Sequence, residues 1–365
     1  MPSVIGREKF LLVAVLTAIV AFFTEHHVLA AGQIAALAAA AALIGVIVLT
    51  STRVAHHAEI LAHKVGDPYG TMILTLSAVA VEVLILAILM NNSSSPTLVR
   101  DTIYAAVMLD INGILGLAAL LGGLRHGEQP YNDNSGKTYG VMILTAMGIS
   151  MVVPEFVPKD RWHYYSAFTI VAMIALYGLF LRMQVGAHSY FFSYSYPKQK
   201  APAANGTAVP EPEHGSTAGS ITIILIGVVL IGLLAEFMSA FMGQGLVGTG
   251  APPALMAVIV AAISAAPEIL TALRAALRNR MQAVVNIAMG ASLSTVILTV
   301  PVMEAIALYT GQPFIMAMTP VQTVMVTITL IAAAINLNDG ETNAIEGMTH
   351  FVLFATFIVL TLLGL

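Results

Sequence analysis

Apolar runs long enough to cross a bilayer follow one another along almost the whole chain, and this constrains the fold more than any other feature. A bilayer core takes about 20 apolar residues per helix. Reading apolar windows against turn and charge signals predicts eleven helices, over about 10–24, 30–52, 69–91, 100–124, 138–157, 164–183, 219–240, 252–274, 281–307, 314–336 and 347–364. Only 9% of the 365 residues are charged and 58% are hydrophobic, whereas a soluble domain carries roughly 25% charge. The expected class is therefore an all-α integral membrane protein of about 11 transmembrane helices, with the lipid bilayer as its principal surroundings. No basic field interleaved with aromatics points to nucleic acid, and the absence of cysteine excludes disulfides, iron–sulfur clusters and thiolate metal sites. The chain has no phosphate-binding loop, which argues against an ATP-driven pump.

The connections are rich in turn formers or charge, as in Gly66-Asp67-Pro68-Tyr69, Asn91 through Pro96, Arg125 through Gly136, and Pro154 through Arg161. Arg7 and Lys9 ahead of Phe10 to Thr24, with Val28 and Ala30 beyond, have the outline of a signal peptide. A second apolar run starts at once with Ala31, so a retained helix is expected over residues 1–28. The stretch 189–218 holds Pro197, Lys198, Lys200, Pro202, Pro210, Glu211, Pro212 and Glu213, a composition that cannot build a core. It reads as a cytoplasmic linker between a first unit, 29–188, and a second, 219–365. With eleven spans, twelve of the fifteen Lys and Arg residues fall on one side and only Arg100, Lys159 and Arg161 on the other. The positive-inside rule then puts the N-terminus in the cytoplasm and the C-terminus outside.

The two units echo each other. Leu76 to Ile85 and Ala262 to Thr271 each carry one glutamate in mid-span, Glu82 and Glu268. Beyond the first come Arg100 and the small-residue run Asp110-Ile111-Asn112-Gly113-Ile114-Leu115-Gly116, and beyond the second come Arg280 and Asn286 through Ser294. With the first helix set aside, each unit has five spans. An odd number forces tandem units into opposite orientations, the plan of inverted-repeat transporters.

An ionised carboxylate at the bilayer centre costs at least about 2.5–3.5 kcal/mol, a cost tolerated mainly for pairing or function. Desolvation and a second carboxylate both favour protonation, whereas a bound cation reverses the balance. Glu82 and Glu268 are therefore expected to hold either a metal cation or protons, but not both. That exclusivity is sufficient for exchange if only the loaded or protonated site changes its exposure. Two facing carboxylates suit calcium, which takes about 6–8 oxygen ligands; sodium needs fewer. Candidate further oxygens belong to Asn112, Asn286, Ser292, Ser294, Ser77, Ser264 and Thr271, for each of which helix packing is an equal reading. Pro267 cannot donate to the carbonyl four residues back, which frees the oxygen of Ile263 as a ligand or leaves a kink satisfied by its neighbours. Asp110 is a third carboxylate at similar depth, an extension of the site, a proton relay or a packing residue. Glu236 and Glu304 are expected near the outer span ends as vestibule or interfacial residues. The cluster His56, His57, Glu59, His63, Lys64 and Asp67 reads as a solvated amphipathic connection, with pH sensing as the alternative.

These carriers, Ala55-His56-His57-Ala58-Glu59-Ile60-Leu61-Ala62-His63, Gly66-Asp67-Pro68-Tyr69-Gly70 leading to Glu82, and Ser264-Ala265-Ala266-Pro267-Glu268 followed by Asn279 and Met289-Gly290, resemble the calcium/cation antiporter superfamily. Within it they are most similar to the bacterial ChaA-type sodium, calcium/proton antiporters. The resemblance implies ten core helices in two inverted repeats plus an N-terminal helix, in a bacterial inner membrane. It also implies that Glu82 and Glu268 are the cation and proton site, with calcium or sodium and protons as cargo and no cofactor. The relatives' Gly-Asn or Gly-Ser pair is replaced here by Gly290-Ala291-Ser292. An intramembrane enzyme using the carboxylates as an acid/base pair and a cation channel are the rival classes; neither has a use for an inverted repeat with central carboxylates.

Overall fold

The computed structural model describes residues 8–65, 69–92, 95–158, 160–196, 216–252, 254–312 and 314–365. Most of the predicted linker, together with Asp67, Lys159 and the His63 side chain, lies outside the described residues. The helices are α1 (Lys9–Ala30), α2 (Gln33–Val65), α3 (Tyr69–Asn92), α4 (Leu98–His126), α5 (Asp133–Phe156), α6 (Trp162–Val185), α7 (Thr217–Leu246), α8 (Ala254–Ser264), α9 (Ala266–Leu277), α10 (Met281–Thr310), α11 (Pro320–Asn336) and α12 (Ala344–Leu362). Among the described residues eight helices are long and apolar enough to cross a membrane, nine if the bent pair α8–α9 is one span; α11 and residues Leu76–Asn91 of α3 are shorter apolar helices.

Two buried clusters organise the bundle. One joins α1, α2 and α7 with one face of α3 and of α8. The other runs through α4, α5, α10, α11 and α12. Lipid offers helices no hydrophobic drive to associate, so small residues that let backbones approach do the work. Gly227 and Gly245 of α7 sit against Val54 and Leu37 of α2, and Gly232 sits against Leu84 of α3. Gly123 of α4 faces the backbone of Ala344, and Gly347 of α12 faces the backbone of Leu120, so α4 and α12 pack backbone to backbone.

The structure departs from the sequence expectations at several points. α2 does not stop near residue 52 but continues to Val65. His56 and His57 therefore stand within a membrane-length helix rather than in a solvated amphipathic connection, and His57 is buried. Its Nε2 lies 3.2 Å from Glu8, to which Arg53 donates at 2.6 and 3.0 Å, and its Nδ1 lies 3.3 Å from Ser220 of α7. The ion pair thus ties α1, α2 and α7 together. The span expected at 252–274 is broken: α8 and α9 meet at Ala265 with a bend of 57°, because Pro267 has no N–H with which to continue the helix. The part of the expected linker from Ser189 to Tyr196 is ordered, with a 3-10 turn at Ser189–Phe192. A two-residue antiparallel ladder, β1 (Gln129–Pro130) with β2 (Glu341–Thr342), joins the loop after α4 to the loop before α12 and is the one β element among the described residues.

Among the described residues three helices carry π turns, at Leu109–Leu115 in α4, Gly148–Val152 in α5 and Thr295–Thr299 in α10. π turns leave backbone groups unpaired and gather at functional sites. Those of α4 and α10 begin at the same sequence distance, 27 residues, beyond Glu82 and Glu268 respectively.

Candidate functional site

Glu82, Asp110 and Glu268 line a single cavity of about 1040 Å³. α2, α3, α4, α6, α9 and α10 all contribute to its wall, and it opens past Glu59, Thr271 and Arg274, which are exposed. Each carboxylate is delivered by a different local device. Glu82 comes from the regular helix α3, 5% exposed, and its Oε2 accepts from Thr295 at 2.9 Å and Thr299 at 3.3 Å on the π turn of α10. Asp110 comes from the π turn of α4, 3% exposed, and accepts from Ser292 of α10 at 3.2 Å. Glu268 stands in the first turn of α9, just beyond the break, where the unpaired N–H groups and dipole of a helix N-terminus favour negative charge.

The three carboxylates share one cavity wall. Among the described residues, however, no three acidic or histidine side chains converge tightly enough to hold a metal ion together. The cavity in this conformation is open, with the acidic groups spaced along its wall. One atom is conspicuously unpaired: Oε1 of Glu82 is buried and has no hydrogen-bond partner. A buried carboxylate oxygen left bare carries a desolvation cost that a cation or a proton relieves.

The neutral candidates divide. Ser292 touches Asp110. Ser294 lines the cavity while donating to the carbonyl of Gly290 in its own helix. Asn286 also lines it, but its amide is engaged, donating to Phe192 at 2.8 Å and accepting from Gln282 at 2.9 Å, so it braces the ordered start of the linker. Asn112 turns away from the cavity: it donates to Thr329 of α11 at 2.7 Å, and its Oδ1 lies 2.9 Å from His350 Nδ1 of α12. The reason is the helical period, since Asn112 and Asp110 lie two residues apart and therefore on different faces. Ile263 is buried in the last turn of α8, one residue before the helix ends, and is absent from the cavity wall.

Sequence reasoning passed over Thr295 and Thr299. The available signal was the series Ser292, Thr295 and Thr299, hydroxyls at helical spacing down one face of an otherwise apolar span. Glu236 is exposed but does not stand at the span end expected of it, since α7 runs ten residues further, to Leu246. Glu304 is not interfacial: it is 1% exposed and lies between α10 and α6, within 3.2 Å of Ser166 and 2.5 Å of Thr169.

Fold and cavity together define a polytopic membrane transporter. The fold matches the solved structure of YfkE with a TM-score of 0.71 over 93% of this chain and 99% of that one, at 17% identity. The chain belongs to the sodium/calcium exchanger protein family, whose model matches residues 34–186 and 219–363. It is 32% identical to the sodium-potassium/proton antiporter ChaA of Escherichia coli, over 87% of each chain. It is 26% identical to the Ca2+/H+ antiporter of Aphanothece halophytica, over 83% of each. These relatives are transporters, and the intramembrane-enzyme alternative is set aside with them.

Proposed function

We propose that the chain exchanges calcium or sodium ions, with potassium a further candidate, for protons by alternating access, and that Glu82 and Glu268 form the shared cation and proton site. The observation that carries this reading is the cavity itself: three intramembrane carboxylates on one aqueous wall, one of them with a bare buried oxygen. A cation entering from the mouth meets Glu268 at the helix break, Asp110 on one π turn, and Glu82 backed by the hydroxyls of the other. Thr295 and Thr299 donate to Oε2 of Glu82 and so leave Oε1 as the ligand. Ser292 does the same service for Asp110. Ionised carboxylates spread along the wall suit a divalent ion or successive monovalent ones, in keeping with the sodium-potassium/proton and calcium/proton antiporters among the relatives. Protonation removes the charge that holds the cation, so each crossing carries one cargo or the other.

The same reading takes the bent pair α8–α9 as one span and counts α3 and α11 as full spans, giving eleven in all: an N-terminal helix and two inverted units of five. Two features favour it. The family model matches in two stretches either side of the linker, and π turns recur beyond both glutamates. On the distribution of basic residues the cavity mouth faces the cytoplasm of a bacterial cell, with the N-terminus inside, the C-terminus outside and the described conformation open inward.

The test uses inside-out membrane vesicles with an imposed acid lumen, reading cation-dependent alkalinisation of the lumen. Glu82→Gln and Glu268→Gln are each expected to insert normally and to lose exchange. Wild-type exchange in either variant rejects the assignment of the shared site.

A further inference from the structure

Glu304 lies outside the cavity yet is as deeply enclosed as any carboxylate among the described residues, 1% exposed beside Ser166 at 6% and Thr169 at 0%. Among the described residues no Lys, Arg or His forms an ion pair with it. From α6 the titratable neighbour is Tyr165, whose hydroxyl is engaged in donating to the Ile149 carbonyl at 2.7 Å. Met303 of α10 and Leu86 and Met90 of α3 belong to one buried apolar cluster, and among the described residues the hydrogen bonds of Glu304 go to α6 alone. An ionised carboxylate without a counter-charge is costly there.

The hydrogen bonds around it leave room for a proton on the carboxyl group. Thr169 Oγ1 lies 2.9 Å from the Ser166 carbonyl oxygen and 2.5 Å from Glu304 Oε2. A hydroxyl has one hydrogen to give, and a carbonyl can only accept. If Thr169 gives its hydrogen to the carbonyl, the hydrogen in the short contact with Glu304 comes from Glu304 itself. A carboxylic acid fits this pocket. A hydrated cation does not, because both carboxyl oxygens are already in contact with hydroxyls and the residue is only 1% exposed.

The position on α10 gives that proton a use. Thr295 and Thr299, which hold Glu82, lie on the same helix. Glu304 follows five residues later, about 7.5 Å further along and away from the cavity mouth. The cavity ends at Glu82, and the α6–α10 contact at Glu304 stands between that end and the opposite face.

We propose that Glu304 is a second proton-carrying carboxylate, a relay between the paired site and the membrane face opposite the cavity mouth. It takes a proton from hydronium at that face, leaving water, and passes it to Glu82 when α6 and α10 separate and admit water between them. One O–H bond breaks on Glu304 as another forms on Glu82, and nothing else is consumed. The relay rests on the exchange reading above, but the presence of the proton does not.

Two measurements test it. Infrared difference spectra of the purified protein in detergent, in H2O and D2O, are expected to contain a protonated-carboxyl carbonyl band that Glu304→Gln removes and Glu304→Asp retains at a shifted frequency. In vesicles, Glu304→Gln is expected to lower turnover about tenfold while leaving the apparent cation KM at the cavity face within about twofold of wild type, and Glu304→Asp to recover part of the turnover. Should Glu304→Gln fail to accumulate, Thr169→Val serves in its place. It removes the hydroxyl in contact with Glu304 Oε2 and is expected to shift the same infrared band and to move the dependence of exchange on far-face pH. An infrared spectrum and a pH profile unchanged in Glu304→Gln, or in Thr169→Val where that variant stands in, overturn the relay. If the band assignment holds but Glu82→Gln and Glu268→Gln still exchange, the shared-site reading falls while the proton on Glu304 stands.

Discussion

Glu82 shows how little a single acidic residue does without its neighbours. Two hydroxyls secure one of its oxygens and leave the other bare, so Thr295 and Thr299 orient the ligand rather than merely pack. A hydrogen bond to a charged group is worth about 1.5–3 kcal/mol, which corresponds to about tenfold or more in affinity. The double variant Thr295→Val, Thr299→Val is accordingly expected to bind calcium or sodium about tenfold more weakly, measured by calorimetry or by the apparent KM of exchange. Unchanged affinity in that variant rejects the orienting role. At the start of α1, hydrogen bonding from the Arg53 guanidinium holds the Glu8 carboxyl below the ordinary carboxylate range. A group with a depressed folded pKa stabilises the protein above its unfolded value, about 4.3 for glutamate, and loses that contribution as pH falls through the folded value. Glu8→Gln is therefore expected to lower the thermal unfolding midpoint in detergent at neutral pH. The difference from wild type should close in acid. The carboxylates themselves were legible in the sequence because charge in an apolar run has few explanations. The roles of Asn112 and Asn286 were not, because a neutral amide serves packing and ligation equally well and only its partners decide.

At the scale of the helix, breaks and π turns decide what reaches the cavity. Pro267 announces a break, and its consequence is larger than one freed carbonyl: a 57° bend and a new helix N-terminus carrying Glu268 into the wall. The π turns had no such marker. Nothing in Leu109–Leu115 or Thr295–Thr299 forbids a regular helix, so they arise from packing. Close helix approach was only partly legible, since glycines are frequent throughout and their contacts are not. Gly347 of α12 is the sharpest case, because a side chain there meets the backbone of Leu120 rather than a movable side-chain end. Overpacking of this kind typically costs about 1–3 kcal/mol, occasionally more. Gly347→Val is expected to reduce the monodisperse fraction on size-exclusion chromatography and to lower thermal stability, whereas Gly140→Val, with open space around it, is expected to behave as wild type.

For the molecule as a whole, the exchange reading requires access to the carboxylates from one face at a time. The chain contains no cysteine, so single cysteines report without background. In the described conformation Ser264 lines the cavity beside Glu268. Ser264→Cys is expected to react with a membrane-impermeant thiol reagent applied to the cavity-mouth face, and to be protected when saturating calcium or sodium is present. Equal labelling from both faces regardless of cation argues for a continuous pore in place of alternating access. The His56 and His57 region illustrates why whole-molecule features resist sequence reading. A stretch with two histidines and a glutamate looks solvated until α1 and α7 close over His57.

The order of apolar spans, the class of membrane protein, the mid-span carboxylates and the likeness between the two units follow from the sequence alone, because insertion into lipid penalises charge and polar backbone so heavily that few arrangements are open to such a chain. Which carboxylates share a wall, which oxygen stays bare, which amide is spent on packing, and that Glu304 is enclosed rather than wet were decided only by tertiary structure. Those facts depend on which helix faces meet, and in a chain so uniformly apolar the meeting of faces is governed by glycine contacts, a bend and π turns that hydropathy does not register.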